Sequence, residues 1–222
     1  LELWAPEWRA RPLGVRWARG EEVGLHPVLM VPLGGLKGGE GLWDVRTAYD
    51  FAGPRYHGRG SEGSLAPFEK DWTTWALDKG VVTEFLRLHP TALTLLPSDA
   101  ILHERNFVVR LDEPYEAIRS SYHHSFRRGL KKAEERGLEV EVSEAPGKEA
   151  TTGFVKMYRQ AMVALEAPFW FHFRGETLRR LLALPEARLV TVREPGGPPL
   201  AMATVLASGT TLFYHLGCSD RE

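Results

Sequence analysis

Leu138-Glu139-Val140-Glu141-Val142 alternates apolar and acidic residues, the pattern of a strand with one face in solvent. Phe154, Met157, Tyr158, Ala161, Met162 and Leu165 then recur at helical spacing, and Leu178, Leu181 and Leu182 mark a second helix that Pro185 stops. Leu189-Val190-Thr191-Val192 is rich in β-branched residues, Glu194 to Pro199 is a Gly/Pro turn, and Leu200 to Ala207 returns. Ser208-Gly209 turns again, and Thr211 to Leu216 runs out as the last strand, expected in the interior of its sheet. The order from Leu138 to Gly217 is therefore strand, helix, helix, strand, strand, strand.

The N-terminal half has a complementary order. Strands are expected near Val15 to Ala18, Val28 to Leu33 and Leu42 to Tyr49, followed by a Gly-rich loop from Arg55 to Gly63. A helix from Pro67 to Lys79 has Pro at its start, Glu69 and Asp71 in its first turn, Trp72, Trp75 and Ala76 on one face, and Gly80 as its stop. Val81 to Leu88 alternates as a strand that places a polar residue on each face, and Asn106 to Leu111 is expected to be another. Pro114 to Arg136 reads as the longest helix, ended by Gly137.

Composition narrows the class. The 222 residues are 43% hydrophobic, enough for one large or two small cores, and no window approaches the roughly 20 apolar residues of a membrane helix. No secretory signal is visible before Trp4, and a single cysteine, Cys218, rules out an internal disulfide framework and a Cys-based zinc site. A reducing, cytoplasmic setting fits. The net charge of −1 gives no overall pull toward nucleic acid or membrane, so a charged partner must be met by a local patch. Arg outnumbers Lys 21 to 7, Asn106 and Gln160 are the only side-chain amides, and there are 15 prolines, which suggests a thermophilic source.

The two halves look like cut pieces of one repeated fold, the first without its beginning and the second without its end. Strand-helix-helix-strand-strand-strand resembles the opening of the GNAT acyltransferase fold, and strand, Gly-rich loop, helix, strand resembles its continuation. Two such modules in tandem resemble the FemAB family of peptidoglycan bridge-forming aminoacyltransferases. Tyr49-Asp50-Phe51-Ala52-Gly53-Pro54 is similar to that family's aromatic-Gly-Pro loop, and Val82 with Phe85-Leu86-Arg87-Leu88-His89-Pro90 to the strand after the first module's helix. Tyr122, Phe126-Arg127-Arg128, Leu130-Lys131-Lys132-Ala133 and Gly137-Leu138-Glu139-Val140 resemble its basic helix running into the second module. Tyr214-His215-Leu216-Gly217-Cys218-Ser219 continues the likeness to the end. The resemblance implies an α/β (α+β) chain of two GNAT-like modules, residues 1–111 and 112–222, with mixed sheets flanked by helices and no coiled-coil arm. It also implies cell-wall synthesis in the cytoplasm, with an aminoacyl-tRNA donor and the amine of a lipid-linked or nucleotide-linked muropeptide as acceptor. No cofactor, no DNA and at most a peripheral membrane contact are expected.

Two local patterns bear on the ligand. Arg55-Tyr56-His57-Gly58-Arg59-Gly60 fits R-x-x-G-x-G, by which GNAT enzymes cradle the pyrophosphate of coenzyme A on backbone N–H groups. Six residues nevertheless separate it from Pro67, where a cradle should run straight into its helix, and a plain surface turn is the competing reading. Gly58 to Gly63 also fits G-x-G-x-x-G, but no strand leads into it and no helix opens from it. On the helix after Pro114, Arg127, Arg128, Lys131 and Lys132 share one broad face beside the apolar Tyr122, Phe126, Leu130 and Ala133. Such a run is most often a solvated face; four cations aimed at one region would also hold a diphosphate.

Other residues are weaker candidates. His123-His124 points its rings apart on a helix, and Cys218 has no assignable partner. Phe169 to Phe173 is expected in the core or in a cleft wall. Arg55, Tyr56, Arg87, Arg127, Arg128, Lys131, Lys132, Trp170 and Tyr214 are the candidate substrate-binding residues, and no metal site is expected. Amine attack on an activated carbonyl between two splayed strands needs alignment, backbone donors for the oxyanion and one proton acceptor. Glu84, His89, His215 and Asp220 are open for that last role, and spacing selects none. The alternatives are an acyl-CoA-dependent N-acyltransferase acting on a sugar or small amine, and a non-catalytic binding module.

Overall fold

The computed structural model describes residues 3–48, 52–57, 66–88, 101 and 106–220. The chain divides into two compact units, Leu1–Asn106 and Phe107–Glu222.

In the first unit β1 (Arg11–Arg19) and β2 (Glu22–Pro32) form a hairpin paired from Arg11↔Met30 to Arg19↔Glu22, and β3 (Trp43–Arg46) adds antiparallel to the far half of β2. Next, β4 (Arg55–His57) pairs with the near half of β2 at Val23–Leu25. The expected loop at Arg55 is thus partly strand. Helix α1 (Ala66–Asp78) then crosses over to β5 (Val81–Phe85), which lies parallel to β3. The sheet order β1-β2-β3-β5 is therefore mixed. Helical spacing puts Phe68 and Trp72 on one face of α1, where they close a core with Val28, Met30 and Val45. Gly80 ends the helix at φ +73°, and a Cβ there would stand 2.8 Å from the Gly41 carbonyl oxygen, so both conformation and space require glycine.

The second unit runs α2 (Tyr115–Ser121), α3 (His124–Glu135), β6 (Glu139–Ser143), α4 (Lys148–Ala164), a 3-10 turn at Phe169–Phe171, α5 (Gly175–Leu182), β7 (Ala187–Arg193), β8 (Pro199–Ser208) and β9 (Thr211–Ser219). Its four strands are antiparallel in the order β6-β7-β8-β9. Phe154, Tyr158, Leu178 and Leu181 from α4 and α5 are buried, as are Leu189, Met202, Thr204 and Leu216 on one face of the sheet.

Three expectations are corrected. The helix over Pro114 to Arg136 is two helices, because Tyr122 and His123 both have extended backbone (ψ 145° and 144°), and the longest helix is α4 with 17 residues. The reversal is closed by Arg119 Nη2, which donates to Glu134 Oε2 at 2.8 Å; fifteen residues of continuous helix would hold these two about 22 Å apart. Asn106 to Leu111 is not a strand: residues 106–110 pair with no other strand among the described residues. Thr211 to Leu216, expected inside its sheet, belongs to β9, which pairs only with β8 among the described residues.

Candidate functional site

In the first unit the parallel seam between β3 and β5 organises the candidate residues. Its ladder proceeds from Trp43↔Val81 to Arg46↔Phe85, and Thr47 N donates to the Phe85 carbonyl at 3.1 Å. Further along, Ala52 N lies 2.9 Å from the Arg87 carbonyl, and Ala52 bridges Leu88 in the parallel sense. Arg87 donates its own N–H to Thr47 Oγ1 at 3.2 Å. Gly53 holds the returning segment at φ +128°, and a Cβ on it would lie 2.8 Å from Leu88 Cδ2. A crevice outside the carboxyl ends of parallel strands is where open sheets bind ligands.

The same end of the sheet carries Arg55, opposite Leu25, and next to that pair in β2 comes His26. Arg55 and Arg87 are exposed and are brought to one end of this unit; Tyr56 lies between Arg55 and His57 in β4. Gly58 to Gly63, His89-Pro90 and the aromatics of Tyr49-Asp50-Phe51 lie outside the described residues.

Beneath the seam is a cluster that spacing did not reveal. His26, 1% exposed, places Nε2 3.1 Å from Glu84 Oε1, and Trp72 Nε1 donates to Glu84 Oε2 at 2.9 Å. The His26 ring stands edge-on to Trp72 at 4.7 Å and to Phe68 at 5.9 Å between centroids. Glu84 is separated from His26 by 58 residues and from Trp72 by 12. No periodicity links those positions; only the alternation that set Glu84 on one face of its strand was readable. On the opposite face Asp44 accepts from Thr83 Oγ1 at 2.7 Å and pairs with Arg46.

In the second unit a cavity of about 340 Å³ is lined by the end of α4 (Ala161, Leu165) and by β7, β8 and β9, with Tyr214, Gly217 and Cys218 from the last strand. The pairing of β8 with β9 slips between Thr204↔Leu216 and Val205↔Tyr214, which makes His215 the extra residue of a bulge. That slip sets Tyr214 and Gly217 on one side, and the phenol crosses the glycine closely enough that a Cβ on Gly217 would clash with its oxygen. Burial, with a smaller contribution from Cys218, raises the Tyr214 hydroxyl above its ordinary range. Cys218 is buried and directs its thiol at the Met202 carbonyl at 3.6 Å; burial pushes it up to about 12. A thiol so held is not a nucleophile at neutral pH.

The remaining candidates sit on exposed elements. On α3, Arg127 reaches the Ser120 carbonyl at 3.4 Å and Lys131 approaches Glu135 at 3.7 Å, while Arg128 and Lys132 form no ion pair among the described residues. Neighbouring Glu134 has its carboxyl below the usual range through the hydrogen bond from Arg119. His123 caps α3, accepting from Ser125 N at 3.4 Å, and its ring lies 4.1 Å from that of His124 between centroids, so the two do not point apart as expected, because His123 precedes the helix rather than lying on it. The aromatic turn divides: Phe173 is buried, stacked on Tyr158, whose hydroxyl donates to the Phe171 carbonyl at 3.0 Å, whereas Phe169 and Trp170 are 81% and 50% exposed.

The family model described as "Acetyltransferase (GNAT) domain" matches residues 120–222. The second unit is therefore similar to a GNAT domain over most of its length. Among solved structures, L-PGS from Bacillus licheniformis matches 100% of this chain with a TM-score of 0.54 at 11% identity. The chain spans 65% of the length of that structure. The likeness runs through both units, so the residues before the GNAT-like part also follow the L-PGS fold. No curated protein matches it in sequence.

Proposed function

We propose that the protein is an aminoacyltransferase that moves an aminoacyl group from aminoacyl-tRNA to the amine of a muropeptide precursor. The observation that carries the reading is the pair of exposed arginines, Arg55 and Arg87, at the carboxyl end of the parallel β3–β5 seam, in a chain whose second unit is similar to a GNAT domain. Arg55 and Arg87 supply cationic side chains at the same end for a phosphate-bearing acceptor, and the exposed Arg128 and Lys132 supply them on α3. Trp170 and Tyr214 offer aromatic surface in the second unit. The reading places the reaction in the cytoplasm, with at most peripheral membrane contact; none of the described helices is long and apolar enough to cross a membrane.

The acyl-CoA reading draws on the family description as an acetyltransferase. Against it, Arg55–His57 is a strand whose backbone pairs with Val23–Leu25, so the first half of the R-x-x-G-x-G pattern is held in a ladder rather than curled around a pyrophosphate. The test is a direct competition. The chain is incubated with a labelled aminoacyl-tRNA pool and a muropeptide acceptor, or with acetyl-CoA and a panel of amino sugars. Label appearing in the muropeptide is the expected result; release of free CoA thiol with no muropeptide labelling would replace the donor, and no transfer from either would withdraw the enzyme reading.

A further inference from the structure

We propose that Glu84 is the proton acceptor of this transfer and that His26 and Trp72 are the positioning residues that hold its carboxylate. The proposal rests on the acyltransferase reading above and chooses among groups that the sequence left equal. A general base must be fixed, within reach of a ligand and open enough to return its proton. Glu84 is fixed and partly open, and it lies toward the carboxyl end of the parallel strands. Each carboxylate oxygen has one donor, His26 Nε2 at 3.1 Å and Trp72 Nε1 at 2.9 Å, and its side chain remains 31% exposed.

Because a carboxylate only accepts, the His26 tautomer that serves it carries hydrogen on Nε2. His26 Nδ1 is buried with no hydrogen-bond partner, so a second hydrogen there would find no acceptor among the described residues. The arrangement therefore orients Glu84. Two other acids of these elements are engaged elsewhere. On β3, Asp44 and Arg46 pair on the opposite face of the sheet, and on α1 Asp71 accepts from Trp17 Nε1 at 2.8 Å. Position completes the argument. Glu84 is the penultimate residue of β5, three residues before Arg87, and His26 lies three residues beyond the last β2–β3 pair, Leu29↔Arg46. Both are toward the carboxyl end of the parallel strands, as are Arg55 and Arg87.

The step balances. The acceptor ammonium gives one proton to Glu84, and the nitrogen lone pair forms the new C–N bond as the ester C–O bond breaks. The departing ribose oxygen takes the second proton from that nitrogen, and Glu84 releases its proton to solvent through its exposed edge.

The experiment compares parent, Glu84→Gln and His26→Asn in the transfer assay. Glu84→Gln keeps an acceptor for Trp72, and circular dichroism of each variant reports whether it folds. The expected result is a fall in kcat of about 100-fold or more for Glu84→Gln, with KM for the acceptor unchanged. Hydroxylamine, already neutral at pH 7, used as acceptor should restore at least a tenth of the parent rate, a rescue that mere structural damage would not permit. His26→Asn should lower kcat less than Glu84→Gln does, again with KM unchanged. An active parent whose folded Glu84→Gln variant keeps its rate overturns the role of Glu84 alone. A parent inactive with every donor overturns both this role and the transferase reading.

Discussion

Cys218 sits at the end of β9 with its thiol against a carbonyl oxygen and apolar neighbours around it, and that environment sets its chemistry more firmly than its position near a cavity does. Burial lifts it from an ordinary 9.0 to about 12. The neutral thiol is the form favoured by the fold, so its contribution to stability is complete below pH 9 and is lost as the pH rises toward 12. At pH 8 the folded protein should react with a disulfide reagent about a thousandfold more slowly than the urea-unfolded chain, since the thiolate fraction differs by about that factor. Stopped-flow thiol titration measures this, and equal rates would mean that the strand end opens freely. The sequence placed Cys218 just past a strand end but could not report that the Met202 carbonyl is its neighbour, because that pairing depends on the slipped register of β8 and β9.

At the scale of elements, α3 separates what local sequence specifies from what it does not. The shared face of Arg127, Arg128, Lys131 and Lys132 was legible from i, i+4 spacing and is present on the helix. The break before it was not: neither Tyr122 nor His123 is a helix breaker, and the reversal depends on the Arg119–Glu134 pair and the edge-on contact of Tyr122 with Phe126, 5.0 Å between centroids. Strands fared similarly. β6 to β9 could be read from alternation and turn residues, whereas β4 was hidden because Arg55-Tyr56-His57 has no apolar pattern and forms a strand only by pairing with β2. The four cations now divide into two kinds. Arg127 and Lys131 already have oxygen partners, and Arg128 and Lys132 do not among the described residues. Replacing Arg128 and Lys132 by Ala should weaken inorganic pyrophosphate binding about tenfold in low-salt calorimetry, or about 1.4 kcal/mol, with stability unchanged to within about 0.5 kcal/mol. The Arg127 and Lys131 pair should matter less. Equal affinities for both double variants and the parent would return the run to a solvated face.

For the whole molecule, the division at Asn106/Phe107 has a physical consequence, because each unit owns a core: Val28, Val45, Phe68 and Trp72 in the first, and Phe154, Tyr158, Leu178 and Leu189 in the second. Contacts that close within a unit should let it fold alone. Residues 107–222 produced separately are expected to melt cooperatively by circular dichroism; a non-cooperative melt would show that the second core needs the first unit. Their sheet makes a further demand. An antiparallel sheet packed on one side ordinarily presents polar residues on the other. Here the face opposite Leu189, Thr191 and Met202 carries Val190, Val192, Ala201 and Ala203, flanked by Val140 and Val142 at 65% and 60% exposure. In β6 alternation implied an acidic face in solvent, and the structure leaves Val140 and Val142 exposed as well; in β7 and β8 both faces are largely apolar, so the open one was not legible. The separate unit should therefore bind the dye ANS through this face, and Val140→Thr with Val142→Thr should reduce the fluorescence without lowering the melting temperature by more than a few degrees, as substitutions at exposed positions remove little burial. Unchanged dye binding in the double variant would move the open apolar surface elsewhere in the unit, with Phe169 and Trp170 the next residues to replace.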